Sequence, residues 1–185
     1  MDKKKVLIPL DGSALSRQVL PHVQRLLSPE EHTLILLRAA EVPEGVGVPL
    51  PPRPTLVVDT IVMPMYEWAA AYERTAHPIY ASRVWETAEA ELADELSADR
   101  RALEAAGYTV AVEIRFGHPV EEIVHVVEQN GVDLVAMATH GWTGLKRLVL
   151  GSVAEAVLRR VPVPVLLVRP FRARDRADAM DGIRA

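Results

Sequence analysis

Lys5-Val6-Leu7-Ile8-Pro9-Leu10-Asp11-Gly12-Ser13 is a short apolar run that stops at an Asp-Gly-Ser turn. A run of this length bounded by turn residues reads as a buried strand. Ser13 is placed to cap the next segment, in which Leu15, Val19, Leu20, Val23, Leu26 and Leu27 recur at helical spacing. Pro21 lacks an N–H inside that pattern and is expected to kink the helix or shorten it. Ser28-Pro29 closes the element, and Thr33-Leu34-Ile35-Leu36-Leu37-Arg38-Ala39 is a second apolar run of strand length. The opening third therefore reads strand, helix, strand.

Further along, the alternation breaks and then resumes. Seven of the chain's 14 prolines fall between Val42 and Pro78, so residues 42–80 read as an insertion. Pro43 to Pro54 is expected to be irregular or polyproline-like, whereas Leu56 to Tyr72 is too apolar to be left in water. That second part is expected either to pack on its own domain or to offer a partner surface at 55–72. Ala81 to Ala106 is the longest helical stretch, with Trp85, Ala88, Leu92, Leu96 and Leu103 on one face and Gly107 at its end. Tyr108 to Phe116 alternates apolar and polar residues, as an edge strand does. Gly117-His118-Pro119 starts a helix with Pro at its first position; Val120, Ile123, Val124 and Val127 share a face, and Asn130-Gly131 stops it. Leu134 to Ala138 is a buried strand, Ser152 to Arg160 a helix and Val163 to Val168 a last strand. Strands alternating with helices imply an α/β fold: an open, doubly wound, mostly parallel five-stranded sheet, Rossmann-like, with helices on both faces and an expected strand order of 3-2-1-4-5. Residues 1–170 are expected to form one domain, with 171–185 a flexible tail that carries four Arg, three Asp and no apolar period.

Composition narrows the function. The chain has 185 residues, 49% hydrophobic and only 5% aromatic, so its core is built from Val, Leu, Ala and Ile. The net charge of −4 gives no general pull toward nucleic acid or an anionic membrane, and a phosphate ligand needs a local site. There is no cysteine, which excludes disulfides, thiolate zinc and a thiol nucleophile. The opening Met1-Asp2-Lys3-Lys4-Lys5 lacks a signal-peptide pattern and no apolar run is long enough for a membrane span, so a cytoplasmic protein is expected.

In an open parallel sheet, ligands bind beyond the carboxyl ends of the strands, where strand order reverses. Pro9-Leu10-Asp11-Gly12-Ser13, Arg38-Ala39-Ala40-Glu41 and Met137-Ala138-Thr139-His140-Gly141 all end there. The last leads through Gly144 to Gly151-Ser152 at a helix start, where glycines let backbone N–H groups face an anion and the helix N-terminus adds partial positive charge. Asp11, at a strand end near solvent, suits hydrogen bonds from ribose hydroxyls; its plainer reading is a cap for the following helix. Gly141 and Gly144 read alternatively as loop glycines. His140 has no Ser or Asp at nucleophile spacing and reads as a hydrogen-bonding loop residue, while Lys146 and Arg147 are either phosphate contacts or a solvated face. The other histidines form no ligand pattern.

These residues resemble the universal stress protein family. The resemblance rests on Val6-Leu7-Ile8-Pro9-Leu10-Asp11-Gly12-Ser13, on Gly117-His118-Pro119, and above all on Ala138-Thr139-His140-Gly141, nine residues, then Gly151-Ser152. The ATP-binding branch of that family carries Gly-x2-Gly-x9-Gly-Ser/Thr here, and Ala138 stands where its first glycine is expected. The resemblance covers about residues 3–41 and 81–170. It implies that Pro9, Asp11 and Ala39 border adenine and ribose, and that Met137, Ala138, Gly141, Gly151, Ser152 and Val153 line the ribose and phosphate side. It further implies ATP, with a divalent cation such as Mg2+ carried by the nucleotide, and a homodimer joined through Val163 to Val168.

The leading expectation is thus a nucleotide-dependent regulatory protein with slow or no hydrolysis. A scaffold of the same fold, acting through its dimer surface and the 42–80 insertion, is the alternative. An enzyme is the third class, but the chain lacks Gly-x4-Gly-Lys-Ser/Thr, and Gly141-Trp142-Thr143-Gly144 is not a nucleophile elbow.

Overall fold

Four apolar runs and one alternating segment form five strands: β1 (Lys4–Pro9), β2 (His32–Ala40), the alternating β3 (Thr109–Phe116), β4 (Leu134–Ala138) and β5 (Val165–Val168). They pair in parallel in the order β3-β2-β1-β4-β5, the expected one. The computed structural model describes residues 3–41, 78–139 and 150–170. Its helices are α1 (Val19–Leu26), α2 (Pro78–Glu95), α3 (Ser97–Ala105), α4 (Pro119–Asn130) and α5 (Ser152–Arg160).

Because successive strand residues point to opposite faces, each apolar run serves two cores at once. Val6, Ile8, Leu34, Leu36 and Ala136 pack with Val19, Leu20 and Val23 of α1, Leu103 of α3, Leu96 and Tyr108. Leu7, Ile35, Leu37, Val135 and Met137 pack on the other face with Val120, Ile123, Val126 and Val127 of α4 and Ala154 and Val157 of α5. Burial of each such side chain contributes roughly 1.5–3 kcal/mol against its loss of freedom. The two layers account for the double winding that the strand-helix alternation implies.

Pro21 sits in the first turn of α1, where its missing N–H would have no intrahelical partner; of the two expected outcomes, kinking and shortening, it shortens the helix, and a single 3-10 turn, Ser16–Gln18, precedes it. Two elements differ from the sequence expectation. The expected helix 81–106 is two helices that meet at Leu96, which is fully buried at φ −95 and ψ −6. The last strand begins at Val165, two residues after the expected Val163; the Pro164 carbonyl still accepts from the Val135 N–H at 3.0 Å.

The ends of the other elements follow local chemistry. Gly131 closes α4 in the left-handed region at φ 60, and Asp133 accepts the Lys5 N–H through Oδ2 at 2.8 Å, which fixes the α4–β4 turn beside β1. On edge strand β3, Val110, Val112 and Ile114 pack inward, while Arg115 pairs with Glu113 at 2.8 Å and Asn130 donates to the same carboxylate. Arg160 of α5 donates two hydrogen bonds to Glu121 of α4 and holds that carboxyl below its usual range. The chain divides into two compact units, residues 1–41 with 92–185, and residues 42–91; the described part of the second is the helix from Pro78 to Glu91. The expected partner surface at 55–72 and the tail 171–185 lie outside the described residues. No helix among the described residues is long and apolar enough to cross a membrane.

Candidate functional site

The carboxyl ends of β1, β2 and β4 open onto a cleft of about 250 Å³. Strand order reverses between β1 and β4, the place in an open parallel sheet where a crevice forms beyond the strand ends. Leu10 N–H still reaches the Leu37 carbonyl at 2.9 Å, so the two strand ends stay together at the floor. Leu37, Ala39, Ile123 and Met137 give the cleft an apolar lining.

One wall is the turn after β1. Asp11 Oδ1 accepts the Ser13 N–H at 2.9 Å, so its carboxylate folds back on its own turn rather than capping the helix. Ser13 Oγ accepts the Ser16 N–H at 3.0 Å at the start of the 3-10 turn, and the Ser16 hydroxyl donates back to the Ser13 carbonyl at 2.9 Å. Between them, Gly12 has φ +83, and a Cβ there would lie 3.3 Å from the Glu95 carboxylate. Both facts favour glycine. Arg17 then donates to the Gly12 carbonyl at 2.5 Å, to Asp99 Oδ2 at 2.7 Å and to the Glu95 carbonyl at 3.1 Å.

The other wall is the passage from β4 to α5. Thr139 donates its N–H to the Val168 carbonyl, and its own carbonyl accepts the Gly151 N–H, each at 2.8 Å. The Gly151 N–H is therefore engaged within the chain. The first intrahelical bond of α5 runs from the Glu155 N–H to the Gly151 carbonyl at 2.9 Å, so the Ser152, Val153 and Ala154 N–H groups have no intrahelical partner. All three residues line the cleft, and the N-terminal partial charge of α5 lies on the same wall. Donors suited to an anion thus begin one residue later than the Gly-Ser motif suggests.

Eight of the sequence-derived residues, Pro9, Asp11, Ala39, Met137, Ala138, Gly151, Ser152 and Val153, line this one cleft. Gly141 lies outside the described residues, with His140, Gly144, Lys146 and Arg147. Ala138 ends β4 opposite Val168, so its backbone is extended and its methyl group carries no left-handed strain. Sequence reasoning passed over Ser16, Pro119, Ile123 and Thr139, which also line the cleft. Pro119 and Ile123 had a usable signal: they lie four residues apart at the start of a helix that follows a strand's carboxyl end. His118, in contrast, is an exposed N-cap whose side chain makes no capping bond. Among the described lining residues Asp11 is the one acidic group, and none is Lys or Arg.

Comparison with known proteins places these features in a wider group. Universal stress protein MJ0577 of Methanocaldococcus jannaschii is 28% identical over 166 residues, 90% of this chain and 94% of that protein. The solved structure of MJ0577 superposes with a TM-score of 0.64 at 26% identity and covers 94% of this chain and all of its own. A universal stress protein family member from Arabidopsis thaliana, solved with AMP bound, has a TM-score of 0.53 at 14% identity and covers 93% of this chain and 94% of its own. A universal stress protein solved in complex with cAMP has a TM-score of 0.50 at 19% identity and covers 92% of this chain and 100% of its own. The model of the universal stress protein family matches residues 3–169, which is nearly the whole chain, and the chain belongs to that family.

Proposed function

We propose that the chain binds ATP in the cleft at the carboxyl ends of β1 and β4 and acts as a nucleotide-dependent regulatory protein with slow or no hydrolysis. The observation that carries this reading is the division of chemistry across the cleft. The apolar lining of Leu37, Ala39, Ile123 and Met137 suits a purine face. Asp11 offers carboxylate oxygens to ribose hydroxyls, and the Ser152, Val153 and Ala154 N–H groups face the phosphates. Three N–H groups and half a unit of dipole charge leave most of a triphosphate's charge unmatched, so Mg2+ enters with the nucleotide. Two solved proteins of this fold hold AMP and cAMP; at 14% and 19% identity they bear on the fold, and the ligand reading stands on the cleft itself.

Two measurements test it. The purified protein is denatured and any released nucleotide identified, and the nucleotide-free protein is titrated with ATP and Mg2+ by calorimetry. A saturable heat with one site per chain is expected. No binding at millimolar ATP overturns the reading.

Dimerisation is part of the proposal. The two sheet edges differ: β3 carries the Glu113–Arg115 pair, which discourages strand addition, whereas the four residues of β5 are all apolar and carry no charge. A homodimer joined through Val165 to Val168, the strand within the expected segment Val163–Val168, follows from that contrast. Val165→Lys, with retained folding checked by circular dichroism, is expected to sediment as a monomer at micromolar concentration where the wild type is a dimer. A monomeric wild type overturns the dimer, and a dimeric Lys variant moves the interface elsewhere.

A further inference from the structure

We propose that Arg17 is a positioning residue for the cleft: by gripping the peptide between Gly12 and Ser13, it sets the orientation of the Asp11 carboxylate. The carbonyl that Arg17 holds at 2.5 Å and the N–H that holds Asp11 Oδ1 at 2.9 Å belong to one peptide unit. A peptide is planar, so fixing its oxygen fixes the direction of its N–H. A charged donor on the oxygen also polarises the group and strengthens the bond that the N–H gives to the carboxylate.

That grip is needed because the plane is otherwise loosely determined. Gly12 has the widest backbone freedom of any residue and sits at φ +83. Arg17 is in turn held from outside the turn: its Nε pairs with Asp99 of α3 at 2.7 Å, and its Nη2 reaches the Glu95 carbonyl at 3.1 Å. Three acceptors around one guanidinium are a match for a rigid fork and a poor match for an ammonium. The side chains of Arg17 and Asp99 are 31% and 14% exposed, so water competes only partly for the pair. The line of action runs from the α2–α3 junction through Arg17 and one peptide to the carboxylate on the cleft wall.

The inference rests on ATP binding in this cleft with Asp11 on the ribose, and its test separates the two. Calorimetry with ATP and with 2′,3′-dideoxy-ATP, which lacks both ribose hydroxyls, is run on wild type, Arg17→Gln, Arg17→Lys, Asp11→Ala and the Arg17→Gln/Asp11→Ala double variant. Thermal melts confirm that each is folded. Arg17→Gln is expected to weaken ATP about tenfold, leave dideoxy-ATP unchanged, and add nothing in the Asp11→Ala background. Arg17→Lys falls between, because it keeps the charge and loses the fork. Equal losses for both nucleotides, or losses that add to Asp11→Ala, assign Arg17 to the fold alone and overturn the proposal. A ligand-free measurement keeps it testable if the wild type binds no ATP at all: amide hydrogen exchange at Ser13 is expected to rise at least tenfold in Arg17→Gln, and unchanged exchange overturns the inference whatever the ligand is.

Discussion

The two walls of the cleft are made by opposite means. After β1, side chains tie the turn: Asp11 to Ser13, Ser13 to Ser16, Arg17 to Gly12 and Asp99. From β4 to α5, backbone groups make the join, the Thr139 carbonyl accepting the Gly151 N–H ahead of the open N-terminus of α5. The first wall accepts hydrogen bonds through a carboxylate and the second donates them through N–H groups. The contrast teaches that the two walls differ in hydrogen-bond polarity, an acceptor on one and donors on the other, with no lysine or arginine among the described lining.

Changes confined to one wall are the way to break that contrast. Gly151→Val is expected to have the largest effect. Gly151 has φ −61 and ψ 149, which valine tolerates, so the variant folds while its side chain enters the donor wall. About a hundredfold loss of ATP affinity, with a parallel loss for inorganic triphosphate, is expected from crowding of that size. Asp11→Ala comes next: removing charge-assisted hydrogen bonds weakens ATP about tenfold and leaves inorganic triphosphate unchanged. Triphosphate competition assays on both variants check the pair, and equal effects on triphosphate would erase the distinction between walls.

Tyr108→Phe is a change outside both walls. The Tyr108 hydroxyl donates to the Leu27 carbonyl at 2.5 Å, so its loss lowers stability by about 1 kcal/mol and leaves ATP affinity unchanged. Burial first, and then the Glu30 charge, raise the Tyr108 pKa. The folded chain therefore keeps that proton to higher pH than the unfolded chain, and wild-type stability falls as pH rises beyond about 10. Urea melts at rising pH are expected to show a shallower decline in the Phe variant. The smallest effect is that of Ala138→Gly. Since Ala138 is extended and unstrained, its methyl removal is expected to strengthen ATP binding or change it by less than about twofold, with a slight loss of stability from a glycine in a strand. Calorimetry that finds a clear loss of affinity would mean that the methyl group touches the ligand.

What the sequence discloses about this molecule depends on whether a feature is local. Helix α4 is legible residue for residue, because Pro119 at its first position, the apolar face and Gly131 at its end are all short-range signals. The parallel, doubly wound sheet is legible through alternation, and its strand order and cleft follow once the Rossmann-like class and the switch-point rule are applied. The break at Leu96 is not: Leu96 continues the apolar stripe, no Gly or Pro marks it, and the Glu95 carbonyl there is taken by Arg17, which is 78 residues away. Arg17 itself belongs to no motif or apolar period in the sequence. Its meaning appears only when Asp99 and the Gly12 carbonyl are brought to it by the fold. Ser16 is hidden for the same reason, since its burial follows from a cap that is visible only as Ser13 followed by another serine.

The position of the long excursion in the chain carries an entropic consequence. β2 ends at Ala40 and β3 begins at Thr109, yet the two pair over eight residues, from Thr33 opposite Thr109 to Ala40 opposite Phe116. Closing a loop grows costlier only with the logarithm of its length, so this crossover adds about 1–2 kcal/mol over a crossover of a dozen residues. An eight-residue parallel ladder with Val110, Val112 and Ile114 packed inward offsets a term of that size. The edge of the sheet farthest from β5 is thus the place where this fold accommodates added chain at a small thermodynamic cost, and β1 with β2, which meet across a short helix, form the part whose pairing requires the least ordering of chain.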